Sequence, residues 1–228
     1  MDKPGRKIRS YVRREGRMTA GQKRALEHYW SRYGIDYRAG EIDLDAVFGR
    51  PAPKILDIGP GMGDATVAMA QASRENDYLA VETHRPGVGS LLRQAAARKL
   101  TNIRVISHDV CEVLAHMLPA NSLDGVCIFF PDPWPKKRHH KRRLINHEFL
   151  NILKPRLKEN ARIYISTDWQ DYAEQILEVF ETHTGYINLA GEGRYSPRPR
   201  WRPYTKFESK GRQQDHPVWD CLFACRPG

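Results

Sequence analysis

KILDIGPGMGDAT, from Lys54 to Thr66, is the stretch that decides the fold. KILDI is a short apolar run with a single acid, the pattern of a buried strand, and the ATVAMAQAS that follows the glycines spaces its apolar residues as a helix does. A strand, a glycine turn and a helix in direct succession make the opening unit of a parallel α/β sheet. In such sheets ligands bind beyond the carboxyl ends of the strands, where glycine lets backbone approach a ligand with no Cβ in the way. The glycines Gly59, Gly61 and Gly63 give G-x-G-x-G, one residue short of the dinucleotide fingerprint G-x-G-x-x-G, which argues against NAD or FAD. A purely structural tight turn also fits this loop taken alone.

The same alternation continues along the chain. Strands are predicted at Lys54–Ile58, Tyr78–Glu82, Ile103–Ser107, Gly125–Phe130 and Arg162–Ser166, with two later runs, Tyr186–Leu189 and Val218–Ala224, completing the sheet. ATVAMAQAS, GSLLRQAAARKL, RLINHEFLNILKPRLK and DYAEQILEVFETH are predicted helices. The expected fold is α/β, a mostly parallel sheet with helices on both faces. Residues 18–50 read as helix and turn packed on the core of a single domain spanning 18–228. Residues 1–17 read as a flexible basic arm. GRYSPRPRWRP, Gly193 to Pro203, is expected to be an extended surface loop.

Lys and Arg outnumber Asp and Glu by 37 to 27 in 228 residues, a formal charge of +10 that favours a polyanionic partner. No apolar run approaches the length of a membrane-spanning helix, and the N-terminus lacks the apolar core of a secretory signal. The four cysteines, Cys111, Cys127, Cys221 and Cys225, lack the spacing of a zinc site and are expected to be reduced thiols in a cytoplasmic protein with no metal. No zipper heptad points to an obligate protein partner, and monomer and homodimer both stay open.

Three acids mark one edge of the predicted sheet: Asp57 before the glycine loop, Glu82 closing the second strand and Asp109 after the third. Each alone reads as a helix cap or a solvated turn. Together they suit a cofactor with a ribose, an adenine and a positive charge better than one with phosphates. S-adenosylmethionine has that chemistry.

DIGPGMG, VETHRPGVGSLL, HDVCEVL, FFPDPWPKKRHHKRRL, STDWQDYA and RPYTKFESKG, in this order, resemble the bacterial tRNA (guanine-N7-)-methyltransferase family over roughly residues 25–223. The resemblance implies a class I S-adenosylmethionine-dependent methyltransferase fold, Rossmann-like, with seven strands, the last antiparallel. It also implies methylation of N7 of a guanosine in tRNA, at position 46 in the variable loop. By motif it assigns Asp57, Gly59, Gly61, Gly63, Glu82, Asp109 and Asp132 to the cofactor. It assigns Lys136, Asp168, Thr205, Lys206, Phe207 and Glu208 to the substrate. Pro60 and Asp57 depart from the family's usual aromatic residue and Glu.

Guanine N7 carries a ring lone pair, so its methylation needs no strong base; the ring instead gains positive charge, which a fixed carboxylate stabilises. Asp132, set between Pro131 and Pro133, is the candidate catalytic residue, and Trp134 offers a stacking face. Beside it Lys136, Lys137, Arg138, Lys141, Arg142 and Arg143 are expected to neutralise phosphates, with Arg194, Arg198, Arg200, Trp201 and Arg202 adding further contacts to RNA. The competing readings are an adenine-N6 or small-molecule methyltransferase and a catalytically silent RNA-binding module.

Overall fold

The computed structural model describes residues 17–204, Glu208 and 217–227. The arm expected over residues 1–17 therefore lies, apart from Arg17, outside the described residues. Among the described residues eight strands build one sheet: β1 (Gly34–Ile35), β2 (Lys54–Ile58), β3 (Asp77–Val81), β4 (Ile103–Ile106), β5 (Leu123–Phe129), β6 (Leu157–Thr167), β7 (Tyr186–Asn188) and β8 (Trp219–Cys225). Their order is β1-β4-β3-β2-β5-β6-β8-β7, and β8 alone runs against its neighbours. The seven expected strands are all present. The eighth, β1, comes from the segment read as helix and turn, and extends the sheet by pairing in parallel with β4.

Among the described residues seven α-helices cover the sheet: α1 (Ala20–Tyr33), α2 (Leu44–Phe48), α3 (Asp64–Ala72), α4 (Arg85–Ala97), α5 (Val110–His116), α6 (His147–Leu153) and α7 (Gln170–Glu181). Strand side chains alternate between the faces, and two buried clusters follow. Leu79, Val81, Val126, Ile128, Ile163 and Ile165 face one cluster with residues of α5, α6 and α7. Tyr78, Ala80, Cys127 and Tyr164 face the other, with residues of α1, α3 and α4. On that second face α1 lies so close to α4 that a Cβ on Gly89 would come within 2.7 Å of the Gln22 carbonyl oxygen. Thr19 starts α1 with a reciprocal cap, its side chain accepting from Gln22 N–H while Gln22 accepts from Thr19 N–H.

The helix expected through RLINHEFLNILKPRLK is shorter. Asn146 caps its start by accepting from Phe149 N–H at 2.9 Å, and Pro155, which has no N–H to continue the ladder, ends it in a tight 3-10 turn. Leu157 then already belongs to β6. All four cysteines are free thiols.

Candidate active site

β2 lies between β3 and β5, so the chain leaves β2 toward one side of the sheet and returns on the other, opening a crevice at the strand ends. A cavity of about 390 Å³ fills that crevice, with Gly59, Glu82, His84, His108, Phe130 and Asp132 among its lining residues. Gly59 and Gly61 have φ of 68° and 58°, conformations that L side chains rarely adopt. A Cβ built on either would meet no atom within 4 Å, so the loop borders open space rather than packed side chains. Gly87, in the first turn of α4, is required for a different reason: its Cβ would collide with the Gly61 carbonyl oxygen at 2.2 Å.

Glu82 is anchored through both oxygens, accepting from Gly61 N–H at 2.9 Å and from His84 N–H at 2.8 Å. Burial raises its pKa, and these backbone donors oppose the shift. Because each carboxylate oxygen can accept more than one hydrogen bond, Glu82 retains capacity for a pair of vicinal hydroxyls. Val81, Val110 and Ile128 provide the apolar wall an aromatic ring needs. These features fit a nucleoside-bearing cofactor, and none of them calls for a phosphate.

Asp57 and Asp109 sit beside the cavity, not on its wall. Alternation along β2 turns Asp57 to the face of α3, where it is buried and accepts from the Thr66 hydroxyl at 2.5 Å. Burial pushes its carboxyl up to about 7, with Thr66 lowering it and Glu82 adding to the rise. Asp109 spends one oxygen capping α5 through Cys111 N–H at 2.8 Å. Gly63 packs against Leu91. These residues shape the pocket from behind.

At the opposite end stands the Phe130–Trp134 turn. Phe130 and Trp134 both hold positive φ, 52° and 46°, an uncommon conformation for residues with bulky side chains. Between them Asp132 is exposed and lines the cavity. Asp168 is exposed just past the end of β6, the strand beside β5, so both acids stand on the same rim. Arg142 lies over the Trp134 ring at 4.9 Å, so that ring is already partnered by a cation rather than presented bare.

A family model described as "Putative methyltransferase" matches residues 51–221. The chain belongs to that methyltransferase family. A tRNA (guanine-N(7)-)-methyltransferase of Nitrosospira multiformis is 53% identical over 99% of this chain and 97% of its own length. One of the same name from Nitrosococcus oceani is 54% identical over 96% of this chain and 91% of its own. Among solved structures, the 16S rRNA methyltransferase KamB superposes with a TM-score of 0.59 over 86% of this chain and 100% of that one, at 15% identity. An rRNA methylase from Streptococcus thermophilus gives 0.52 over 77% of this chain and 88% of its own, at 11% identity. At those identities the structural likeness bears on the fold alone.

In this methyltransferase the basic run splits by burial. Lys136, Lys137, Arg138 and Lys141 are exposed around a 3-10 helix, Lys137–Arg142. Local desolvation and the charges of Arg138 and Arg142 lower the pKa of His139. Arg143 does not join the expected phosphate grip. It is buried, donates to the Pro133 carbonyl at 2.9 Å, to Gln175 at 2.6 Å and to Asp171 at 2.5 Å, and lies over the Tyr172 ring. It bolts the Pro-Asp-Pro-Trp turn to α7. A planar fork with five donors can satisfy three such partners at once, which explains Arg at this position.

The Arg/Pro-rich stretch is the surface loop expected, with one residue turned inward. Arg202 is buried in a two-pronged pair with Glu208, both contacts 2.8 Å, and lies 3.2 Å from Asp220 of β8. Arg198 adds a contact to Glu208 and donates to the Arg202 carbonyl. Glu208, expected at the substrate, is thus engaged by two arginines. Thr205, Lys206 and Phe207 lie outside the described residues. Sequence reasoning missed His84 and His108 on the cavity wall. His84 had a signal, since Pro86 two residues on marks a helix start and makes His84 its cap. His108 had none: it is stacked at 3.7 Å on Tyr37, which only the fold brings near, and bonded to Glu112, four residues on, at 2.7 Å.

Proposed function

We propose that the protein transfers a methyl group from S-adenosylmethionine to N7 of a guanosine in tRNA, at position 46 in the variable loop. The observation that carries this reading is one cavity with two unlike carboxylates: a backbone-anchored Glu82 at one end and Asp132 on a strained turn at the other, with exposed cations outside. Relatives named tRNA (guanine-N(7)-)-methyltransferase, about half identical over nearly the whole chain, support the substrate.

When bound, S-adenosylmethionine supplies a methyl on a positively charged sulfur and leaves as a neutral thioether. Glu82 would accept the ribose hydroxyls, the Gly59–Gly61 loop would let backbone approach the amino-acid portion, and the apolar wall with His108 would border the adenine. Asp109 and Asp57 support that end from behind. At the other end Asp132 accepts hydrogen bonds from guanine N1–H and N2–H₂. It orients the ring and stabilises the positive charge that arrives on the base with the methyl. No proton has to leave N7. Asp168 borders the same rim, and Lys136, Lys137, Arg138 and Lys141 hold the RNA backbone. Thr205, Lys206 and Phe207 remain assigned to the substrate by motif.

The test is incubation of the purified protein with S-adenosylmethionine and unmodified tRNA transcripts, followed by nucleoside analysis of the digested RNA. The expected product is 7-methylguanosine confined to the variable loop. A methyl on adenine N6 would move the reaction to the competing enzyme, and tRNA binding without any methyl would leave an RNA-binding module.

A further inference from the structure

Trp201 presents a large apolar ring to solvent on a segment that is otherwise fixed in place. It is 54% exposed, while its neighbour Arg202 is 1% exposed and held by Glu208 and Asp220. The two sides of this short stretch therefore differ in kind: one is an anchor, and the other an unburied indole. Trp201 meets the Tyr164 ring edge-on, with centroids 5.1 Å apart. Tyr164 in turn meets Phe129 at 6.0 Å, and Phe129 lies on the cavity wall. Two ring contacts therefore separate Trp201 from the proposed base site.

Its chain neighbour Arg200 is exposed, whereas Arg198 is taken up by Glu208 and the Tyr204 ring, and Arg202 by Glu208 and Asp220. An exposed aromatic on a rigid backbone with an exposed arginine beside it suits an unpaired base, which stacks on the ring while the cation meets a phosphate. The chain's formal charge of +10 and the RNA proposed at the neighbouring cavity make an RNA strand the occupant rather than a protein partner.

We infer that Trp201 is a stacking platform for an unpaired base near the target guanosine on the same RNA strand, held in position by the buried Arg202–Glu208–Asp220 cluster. This inference rests on the RNA substrate proposed above. The platform explains why a segment rich in Arg and Pro is tied so firmly to β8: a loose tryptophan would lose conformational entropy on binding that a fixed one does not.

The test measures tRNA binding by filter retention for the wild-type protein and the Trp201→Ala and Trp201→Phe variants. The RNAs are intact transcripts and transcripts with a single abasic nucleotide at successive positions flanking the target guanosine. Trp201→Ala should weaken binding of intact tRNA roughly 5- to 150-fold, the range of base–aromatic stacking, with Trp201→Phe close to wild type. One abasic position should weaken wild-type binding by a similar factor and have no effect on Trp201→Ala. Unchanged affinity in Trp201→Ala, or losses that add in full at every abasic position, would overturn the platform. A parallel loss of S-adenosylmethionine affinity in Trp201→Ala, measured by calorimetry, would reduce Trp201 to a structural role. Because binding is read separately from 7-methylguanosine formation, an inactive wild-type protein would refute the methyltransferase reading, while absent coupling in an active one refutes only the platform.

Discussion

Glu82 and Asp132 line the same cavity in opposite surroundings. Glu82 is buried, bound by backbone N–H groups through both oxygens, and placed at a strand end whose loop conformation is fixed by glycines. Asp132 is exposed, and the order around it comes from its turn: prolines on either side, positive φ at Phe130 and Trp134, and the buried Arg143 holding Pro133. The end proposed for the cofactor is thus ordered by its own backbone. The end proposed for the base is a rigid frame around a solvent-exposed acid, which a bound base would desolvate. Its electrostatic contribution grows when that happens, since charges interact more strongly once water is excluded. Asp132→Asn keeps the frame and removes the charge. The expected result is a fall in kcat of about 10²- to 10³-fold with unchanged S-adenosylmethionine affinity, measured by single-turnover kinetics beside calorimetry. Full activity in the variant would remove Asp132 from the reaction and erase the distinction between the two ends.

The cofactor end has its own cost, carried by Asp57. Its folded pKa of about 7 lies above the ordinary aspartate value of 3.8, so the folded state holds the proton more tightly than the unfolded one. The associated stability is fully present below about pH 4 and is lost as pH rises through 7. At most this amounts to about 4 kcal/mol for a shift of that size, and less if the loop relaxes. Asn at this position keeps an acceptor for Thr66 and has no charge to bury. Urea unfolding across pH 4 to 8 should therefore show wild type losing stability relative to Asp57→Asn as pH rises. Parallel curves would mean that Asp57 is solvated in the folded protein.

The legible parts of the molecule were those set by local pattern. β2 was predicted to the residue, because the KILDI run is bounded by Pro53 and Gly59, and the glycine loop and Glu82 stand at the edge where the alternation of strands and helices put them. What could not be read was which side of a residue faces the protein. Asp57 differs from Glu82 in its place and partner: it lies within β2, buried and bonded to Thr66 of α3, while Glu82 lies just past the end of β3 on the cavity wall. Arg143 looks like any other cation in KKRHHKRR, and only the approach of α7 shows that it is interior. Arg202 has the same history: a composition suited to a surface loop gives no sign that Arg202 turns inward onto Glu208, six residues on, and onto Asp220 of β8. Charge was legible, and its partners were not, because partners at long sequence separation are products of the fold.

Arg143 offers the next sharpest break in the comparison. Arg143→Ala removes hydrogen bonds to three partners and the contact with Tyr172, and should cost about 2–3 kcal/mol of unfolding free energy. The turn that carries Asp132 would lose its tie to α7, so kcat should fall even under conditions where the variant stays folded. Circular dichroism melts together with kcat at a temperature well below the variant's Tm separate the two effects. An unchanged kcat would show that the prolines alone hold the turn.

The smallest expected effect tests the same run from its exposed side. Lys137 and Arg138 project from the 3-10 helix into solvent, whereas Arg143 is 1% exposed and already paired. Each cation that neutralises a phosphate adds about 1 to the slope of log affinity against log salt, because one condensed counterion is released per contact. Lys137→Ala with Arg138→Ala should lower the slope for tRNA binding by about 2 and weaken affinity by roughly 30-fold at about 0.15 M salt, leaving S-adenosylmethionine binding untouched. Arg143→Ala, although it removes the same charge a few residues away, should leave the slope where it was. If the slope falls equally in both proteins, the buried arginine must reach the RNA and the division of the run is wrong. If it falls in neither, the phosphate grip lies elsewhere on the basic surface, and the exposed cations beside the turn act only through the field they place around Asp132.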